Sequence, residues 1–509
     1  MLKKAQPYWP LILLLALIKF VLPIFLQSPI YELQRDEYLY YQQGLHVDLG
    51  YLENPPLLSY MGMISSWFGG SVAWIKFWPC LLGAATVVLT CLITAELGGR
   101  RFAQFLAGLG IITGAYMRVH FLFQPNSLDI FFWTLAIYFL VRYINTKNPV
   151  FIYWLAVSIA LGWWGKYSII FMAISIVIGL LLTRNRTIFL VKQTWLGIAL
   201  AGLLILPNIW WQFQHNWPLI HHMNELRETQ LGFISPAHFL KEQLLMLFPV
   251  TLVWITGLIW LFRNNNYRII AIVYVSVTTL LMLGSGKGYY ALGAYPMLLA
   301  AGAVAWQNIS QRRIWVRPLL AGVVIVLAAL LIPVALPVWE PAKMADFGKR
   351  NGIDHTWEDQ QKHPLSQDFA DMLGWKELTE KTERFFQTLP AATKSNTIIF
   401  CGNYGQAGSL KYYGKDAYFR NKIISTNGSF ILWYPSRTFF ENMILVNEEI
   451  PDDDEELFKH FQTTTLIDSV TNTYSRQFGN KIIFYENIDT TGFRMVSEYL
   501  ANKKKQFSR

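Results

Sequence analysis

The sequence predicts a membrane protein built as an all-helical bundle of about 11–13 spans, followed by a smaller α/β domain outside the membrane. Three observations predict this. Of the 509 residues 53% are hydrophobic and only 15% are charged, a balance that points away from an ordinary soluble enzyme. The apolar residues fall in separate runs that stop near Pro337, whereas 338–509 mixes charged and apolar residues as a soluble domain does. The basic residues gather in every second connection between those runs.

A bilayer core takes roughly 20 apolar residues per helix, fewer where neighbouring helices shelter the ends. In chain order the runs are Leu11–Leu26, Ser71–Ala95, Phe102–Tyr116, Leu128–Val141, Val150–Trp164, Ser168–Thr183, Thr194–Trp211, Leu244–Phe262, Ile269–Gly284, Tyr289–Trp306 and Pro318–Pro337. Lys3 and Lys4 precede the first. Arg100 and Arg101, Arg142 and Lys147, Arg184, Arg186 and Lys192, Arg263 and Arg268, and Arg312, Arg313 and Arg317 occupy alternate connections. By the positive-inside rule these connections and the amino terminus are cytoplasmic, which with an odd number of spans puts 338–509 on the far side. Topology thus accounts for the formal charge of +10, and nucleic acid is not called for as a partner. No small-x-small cleavage site follows Leu11–Leu26, so that run reads as a retained span. Cys80, Cys91 and Cys401 make no disulfide framework, and no Cys/His spacing suggests structural zinc.

The remaining connections open on one side and form one surface. The first, 27–70, carries Arg35-Asp36-Glu37 and then "GYLENPPLLSYMGMISSWFGG", in which Pro55 and Pro56 suit a helix start and Leu57 to Phe68 reads as an interfacial helix. The second, "YMRVHFLFQPNSLD", holds Arg118, His120, Asn126 and Asp129, and the third is a tight turn carrying Lys166. The fourth, 208–243, holds His215, His221 and His222 with Trp210, Trp211 and Trp217; the fifth, "GSGKGYYALGAYP", holds Lys287, Tyr289 and Tyr290. Taken singly, most of these have a plainer reading. Asp36 and Glu37 fit solvated interfacial charges, Lys166 and Lys287 snorkelling anchors, the aromatic residues a membrane-interface belt, and the histidines a wet loop. Asp129 resists that treatment, because an ionisable group at the edge of an apolar run is costly and marks function by default.

A carboxylate and several cations at a membrane surface suit one reaction class, glycosyl transfer from a lipid-linked phosphate sugar. The carboxylate takes the proton of the acceptor hydroxyl as it attacks the anomeric carbon. The polyprenyl phosphate leaves as an anion and needs positive charge nearby. The stretches "RDEYLYYQQGLHVDLGYLENPPLL", "RVHFLFQPNSLDIFFWTLAIYFL" and "GKGYYALGAYPMLLA", with "DMLGWKEL" and "NYGQAGSLKYYG" in the tail, are similar in order and in side of the membrane to one family. They resemble the bacterial relatives of dolichyl-phosphate-mannose–protein mannosyltransferases, the glycosyltransferase family 39 and 83 group that includes the aminoarabinose transferases acting on lipid A.

That resemblance implies a GT-C fold, a polyprenyl-phosphate sugar donor, and a protein, lipid A or surface-glycan acceptor. It also implies an inverting reaction that needs no metal or other cofactor, on the periplasmic face of a bacterial inner membrane, although Asp36, Glu37 and Asp129 are carboxylates able to bind a divalent cation. It maps the catalytic base onto Asp36, with Glu37 beside it, and a helper acid onto Asp129. Donor-phosphate contacts map onto Lys287, Lys166 and Arg118, and substrate contacts onto Asn54, Tyr289, Tyr290 and His120. Asn54 is a departure, since many relatives carry a basic residue or histidine immediately before the Pro-Pro pair. The rival readings are a multi-span lipid or sugar transporter or flippase, and a non-catalytic assembly protein; a transporter asks for internal repeats and helices broken at mid-membrane, and the sequence shows no such repeat.

In the tail, "NTIIFCGNYGQAGSLKYYG" reads as strand, turn and helix; "KIISTNGSFILWYP", "NMILVNEE" and "NKIIFYENI" add strands, and "DDDEELFKHF" a helix. This order predicts a small α/β domain with a partly parallel sheet. Gly402, Gly405 and Gly408 lack the spacing of a nucleotide fingerprint, so the domain reads as packing or acceptor-positioning without chemistry of its own.

Overall fold

Each apolar run folds as helix in the computed structural model, which describes residues 4–229, 232, 235–435, 439–449 and 456–507. The first part of the chain comprises α1 (Trp9–Leu26), α2 (Arg35–Leu45), α3 (Leu57–Trp67), α4 (Val72–Glu96), α5 (Arg101–Ile112), α6 (Tyr116–Val119), α7 (Pro125–Thr146), α8 (Val150–Gly165) and α9 (Ile169–Leu181). It continues through α10 (Lys192–Gln214), α11 (Pro218–Thr229), α12 (Pro236–Met246), α13 (Thr251–Arg263), α14 (Arg268–Leu283), α15 (Tyr295–Ile309), α16 (Val316–Leu330) and α17 (Ile332–Ala335). Among the described residues five segments are long and apolar enough to cross a membrane alone: α1, α4, α7, α10 and Gly288–Arg312, which contains α15. Two bent pairs pass the same test only when their halves are taken together: Ile169–Leu181 with Arg184–Leu190, bent by 108°, and Pro236–Met246 with Phe248–Arg263, bent by 73°. The shorter apolar helices α5, α8, α14 and α16 match the remaining predicted spans.

Burial sorts these helices into a centre and a rim. Most of α4, α7 and α15 is buried. In α1 only the stripe Ile12, Leu15, Ala16, Lys19 and Pro23 is buried, while Leu13, Leu14, Leu17 and Phe25 face outward, as a helix with one side in lipid does. The centre is tight because small residues let backbones meet: a Cβ on Gly257 of α13 would strike the Leu298 carbonyl of α15, and one on Gly302 would strike the Val253 carbonyl.

Polar contacts divide the bundle into two ends. At one, Glu96 is 2.5 Å from Lys4 and 3.4 Å from Arg142, Asn145 bonds Glu96 and accepts from Tyr267, and the Gln307 side chain accepts from the Arg100 backbone. These residues border the basic connections, so the alternation seen in sequence is a single charged end in space. The first loop, Gln124, Lys166 and Lys287 gather at the other.

There α2 and α3 lie across one another so closely that a Cβ on Gly44 would sit 2.5 Å from the Gly62 backbone. The C-terminal domain covers them. It contains α18 (Pro341–Arg350), the hairpin β1 (His355–Thr356) and β2 (Lys362–His363), α19 (Gln367–Ala370), α20 (Trp375–Thr388), α21 (Ala391–Ser395), β3 (Thr397–Cys401), α22 (Tyr404–Tyr413) and α23 (Ala417–Asn421). After these come β4 (Ile423–Ile424), β5 (Asn442–Asn447), β6 (Phe461–Ser469), β7 (Lys481–Ile488) and α24 (Thr490–Lys505). The five-stranded sheet has the order β4-β3-β5-β7-β6, with β3 parallel to β4 and β5, and β7 antiparallel to both its neighbours. The partly parallel sheet is therefore present. The helix expected over "DDDEELFKHF" begins outside the described residues, and its end is a short 3-10 turn leading into β6, a strand whose polar "QTTT" face hid it from hydropathy.

Candidate active site

Asp36 stands in the first turn of α2, and the start of that helix is set by a capping box. The Gln34 side chain accepts from the Asp36 backbone N–H at 2.9 Å, and Glu37 reaches back to the Gln34 N–H at 2.8 Å. Glu37 is completely buried. Its carboxylate also accepts from Lys76 Nζ at 2.6 and 2.7 Å and from the Phe123 N–H at 2.6 Å. Asp36, about 100° further round the helix, points elsewhere. Its Oδ1 accepts from the Tyr404 hydroxyl at 2.7 Å and from Arg35 Nε at 3.4 Å, and its Oδ2 accepts only a longer 3.2 Å bond from Gln124 Nε2. A quarter of the Asp36 side chain stays exposed, which leaves a route for another molecule to the carboxylate.

From Asp36 a chain of hydrogen bonds runs to a cation. Gln124 Oε1 accepts from Asn126 Nδ2 at 3.1 Å, and Asn126 Oδ1 accepts from Lys166 Nζ at 2.7 Å. The Lys166 ammonium also sits 4.2 Å from the ring centre of Tyr290 and 5.8 Å from that of Tyr289. Asp129 and Lys287 are both within electrostatic reach of Lys166, and Asp36 is within that reach of Tyr289. Asp36, Asp129, Lys166, Lys287, Tyr289 and Tyr290, drawn from four connections, thus gather in one place. Lys287 is itself partly neutralised, because the β1–β2 hairpin lays Glu358 3.7 Å from it, and Glu358 also lies 3.6 Å from Arg476.

Four of the expected site residues have other duties. Glu37 has no free face, as four hydrogen bonds from its three partners show, and acts as an internal lock between α2 and α4. Arg118 bonds the backbone carbonyls of Val334 and Ala335 and, at 2.7 Å, Asp368; it ties the last span and α19 to the second loop. Asn54 is buried, accepting from Gln43 at 2.9 Å and donating to the Pro55 carbonyl at 2.8 Å, so it shapes the first loop from inside. His120 is buried in a stack on Tyr116, where Gly83 leaves room for its ring, and does not join that group.

Other residues enter that the sequence did not single out. Gln124 joins Asp36 to Asn126, and Tyr404 comes from the domain expected to lack chemistry. Arg35 lies between Asp36 and Asp371; its guanidinium stands 5.4 Å from the Tyr404 ring centre, and its backbone N–H donates to the Asp371 carbonyl at 3.1 Å. Burial pushes the Asp371 carboxyl up to about 6, against the pull of Arg35 and Arg476. The glycines of "NYGQAG" find their reason here. A Cβ on Gly405 would meet Arg35 Cγ at 2.5 Å, and one on Gly408 would meet Tyr38 at 2.7 Å, so bare backbone lets α22 lie on α2.

Fold and site together define a class: a multi-pass membrane protein with the GT-C fold, whose C-terminal α/β domain closes over the first loop. Comparison with known proteins agrees. Residues 53–211 match the family described as dolichyl-phosphate-mannose-protein mannosyltransferase. The chain is 24% identical over 205 residues to the lipid A galacturonosyltransferase RgtD of Rhizobium johnstonii; the match covers 39% of this chain and only 42% of that relative. In three dimensions it is similar to ArnT from Cupriavidus metallidurans bound to undecaprenyl phosphate, with a TM-score of 0.64, 11% identity and coverage of 94% of this chain and 98% of the other. The apo state of the same protein aligns with a TM-score of 0.60 at 11% identity, over 94% of this chain and 97% of ArnT. At that identity the likeness establishes the fold.

Proposed function

We propose that the protein is an inverting glycosyltransferase that moves a sugar from a polyprenyl phosphate to a hydroxyl or phosphate acceptor on the outer face of a bacterial inner membrane. The observation that carries this reading is the hydrogen-bonded line from the Asp36 carboxylate through Gln124 and Asn126 to Lys166. It holds a base and a phosphate-binding cation in one frame, which is what displacement of a phosphate by a hydroxyl needs. Asp36 takes the acceptor proton, the acceptor oxygen bonds the anomeric carbon from the side opposite the phosphate, and the phosphate departs toward Lys166 and Lys287. Asp129, buried within electrostatic reach of Lys166, favours the charged form of that lysine, and Asn126 orients it. The exposed apolar faces of the rim helices supply the lipid-like surface for a polyprenyl tail. The basic end of the bundle, taken as cytoplasmic, puts the site outside. A lipid A acceptor is supported by the likeness to RgtD and a polyprenyl phosphate by the ligand of ArnT.

The test is transfer itself. Purified protein in nanodiscs, given labelled polyprenyl-phosphate sugars and a bacterial membrane extract, is expected to form a product of inverted anomeric configuration. In this reading lysines and not a divalent ion carry the phosphate charge, so the rate should survive EDTA. Lys166→Met is expected to raise the KM for donor about ten-fold, as loss of one charge-assisted contact does. Movement of labelled lipid across proteoliposomes without any glycosidic product would favour a flippase instead.

A further inference from the structure

We propose that Tyr404, which the outer domain places on Asp36, is a positioning residue that fixes the base so that Oδ2 alone receives the acceptor proton. The inference rests on the reading of Asp36 as the base. Its starting point is an asymmetry: Oδ1 is held by Tyr404 at 2.7 Å and by Arg35, while Oδ2 meets only Gln124 at 3.2 Å. A carboxylate held by one oxygen cannot turn, and its other oxygen is the one presented.

The fold leaves the Tyr404 hydroxyl little freedom. β3 is flanked on both sides by parallel strands, and the chain leaves its C-terminal end straight into α22, at the switch point where open α/β sheets form their sites. Asn403 and Gln406 form a capping box there, and the Tyr404 N–H donates to Asn427 Oδ1 at 3.2 Å. Further along α22, Tyr413 meets the Tyr38 hydroxyl at 3.2 Å and Tyr412 donates to the Gly70 carbonyl at 3.1 Å, so the helix is tied to the first loop at both ends. Burial and the neighbouring Asp36 hold the Tyr404 phenol well above its usual range, so it remains a neutral donor. In the reaction the acceptor proton passes to Oδ2 as its oxygen forms the glycosidic bond; the anomeric C–O bond to phosphate breaks and the phosphate keeps the electron pair. Tyr404 exchanges no proton.

Tyr404→Phe removes the hydroxyl and keeps the ring. The expected result is a kcat lowered roughly 10- to 100-fold, with the KM for donor within about twofold and an unchanged melting temperature. In an Asp36→Asn background the same change is expected to leave the residual rate alone, because there is no base to orient. A wild-type kcat, a raised KM at constant kcat, a lowered melting temperature, or an equal loss in the Asp36→Asn background would each overturn the proposal. If Asp36→Asn itself transfers at the wild-type rate, the base assignment fails first, and that failure is distinguishable from one confined to Tyr404.

Discussion

Replacing Asp36 by Asn should lower kcat by about 100- to 10,000-fold while donor binding is retained, the range that removing a general base produces. The substitution is nearly isosteric. The amide oxygen can keep the bond from Tyr404, and the position touches neither the buried Glu37 cluster nor Lys166. What is lost is an oxygen able to hold a proton, and the amide N–H₂ turned toward Gln124 Nε2 sets donor against donor. Single-turnover transfer measures the loss, and titration with polyprenyl phosphate measures binding. Equal rates for wild type and variant would remove Asp36 from the chemistry and with it the inverting mechanism.

Lys76→Met is expected to destabilise the folded protein by about 3–5 kcal/mol, because it leaves the Glu37 carboxylate buried without its counter-charge. Lys76 is 2% exposed and Glu37 not at all, so water cannot take over the lost bonds. Two backbone donors, from Gln34 and Phe123, remain and do not replace a cation. The double variant Glu37→Gln with Lys76→Met should regain most of that stability, since a neutral amide in the same place costs far less to bury. Thermal denaturation of the protein in nanodiscs reads both. A Lys76→Met protein as stable as the wild type would show that Glu37 is not the lock described. Transfer by the single variant should fall further than its stability implies, because Glu37 also completes the capping box that aims Asp36.

Much of this architecture was legible in one dimension. The apolar runs locate the helices because lipid selects composition locally, and the basic connections sort into one end because charge is read loop by loop. That Asp36, Asp129, Lys166 and Lys287 lie at one end of the bundle was legible for the same reason: each stands in or beside a connection on the side that basic connections avoid. The side chains that turn inward share a cause as well. Glu37 and Asp36 are adjacent, and only helix phase and the position of Lys76, 39 residues on, decide which one faces a substrate. Arg118, Asn54 and His120 look like site residues because they are polar and sit in the right loops, yet each side chain turns inward to partners or packing that the loops alone do not disclose.

By itself, then, the order of amino acids determined a membrane bundle, its two unlike ends, a mixed C-terminal domain and the loops that gather at one end. Tertiary structure alone decided which carboxylate is free, which cation it is linked to, and that the C-terminal domain reaches Asp36. The reason is physical. Hydropathy and charge act over a few neighbouring residues, whereas the bonds that orient Asp36 join it to Gln124, 88 residues away, and to Tyr404, 368 residues away, and exist only once the helices and the sheet have packed.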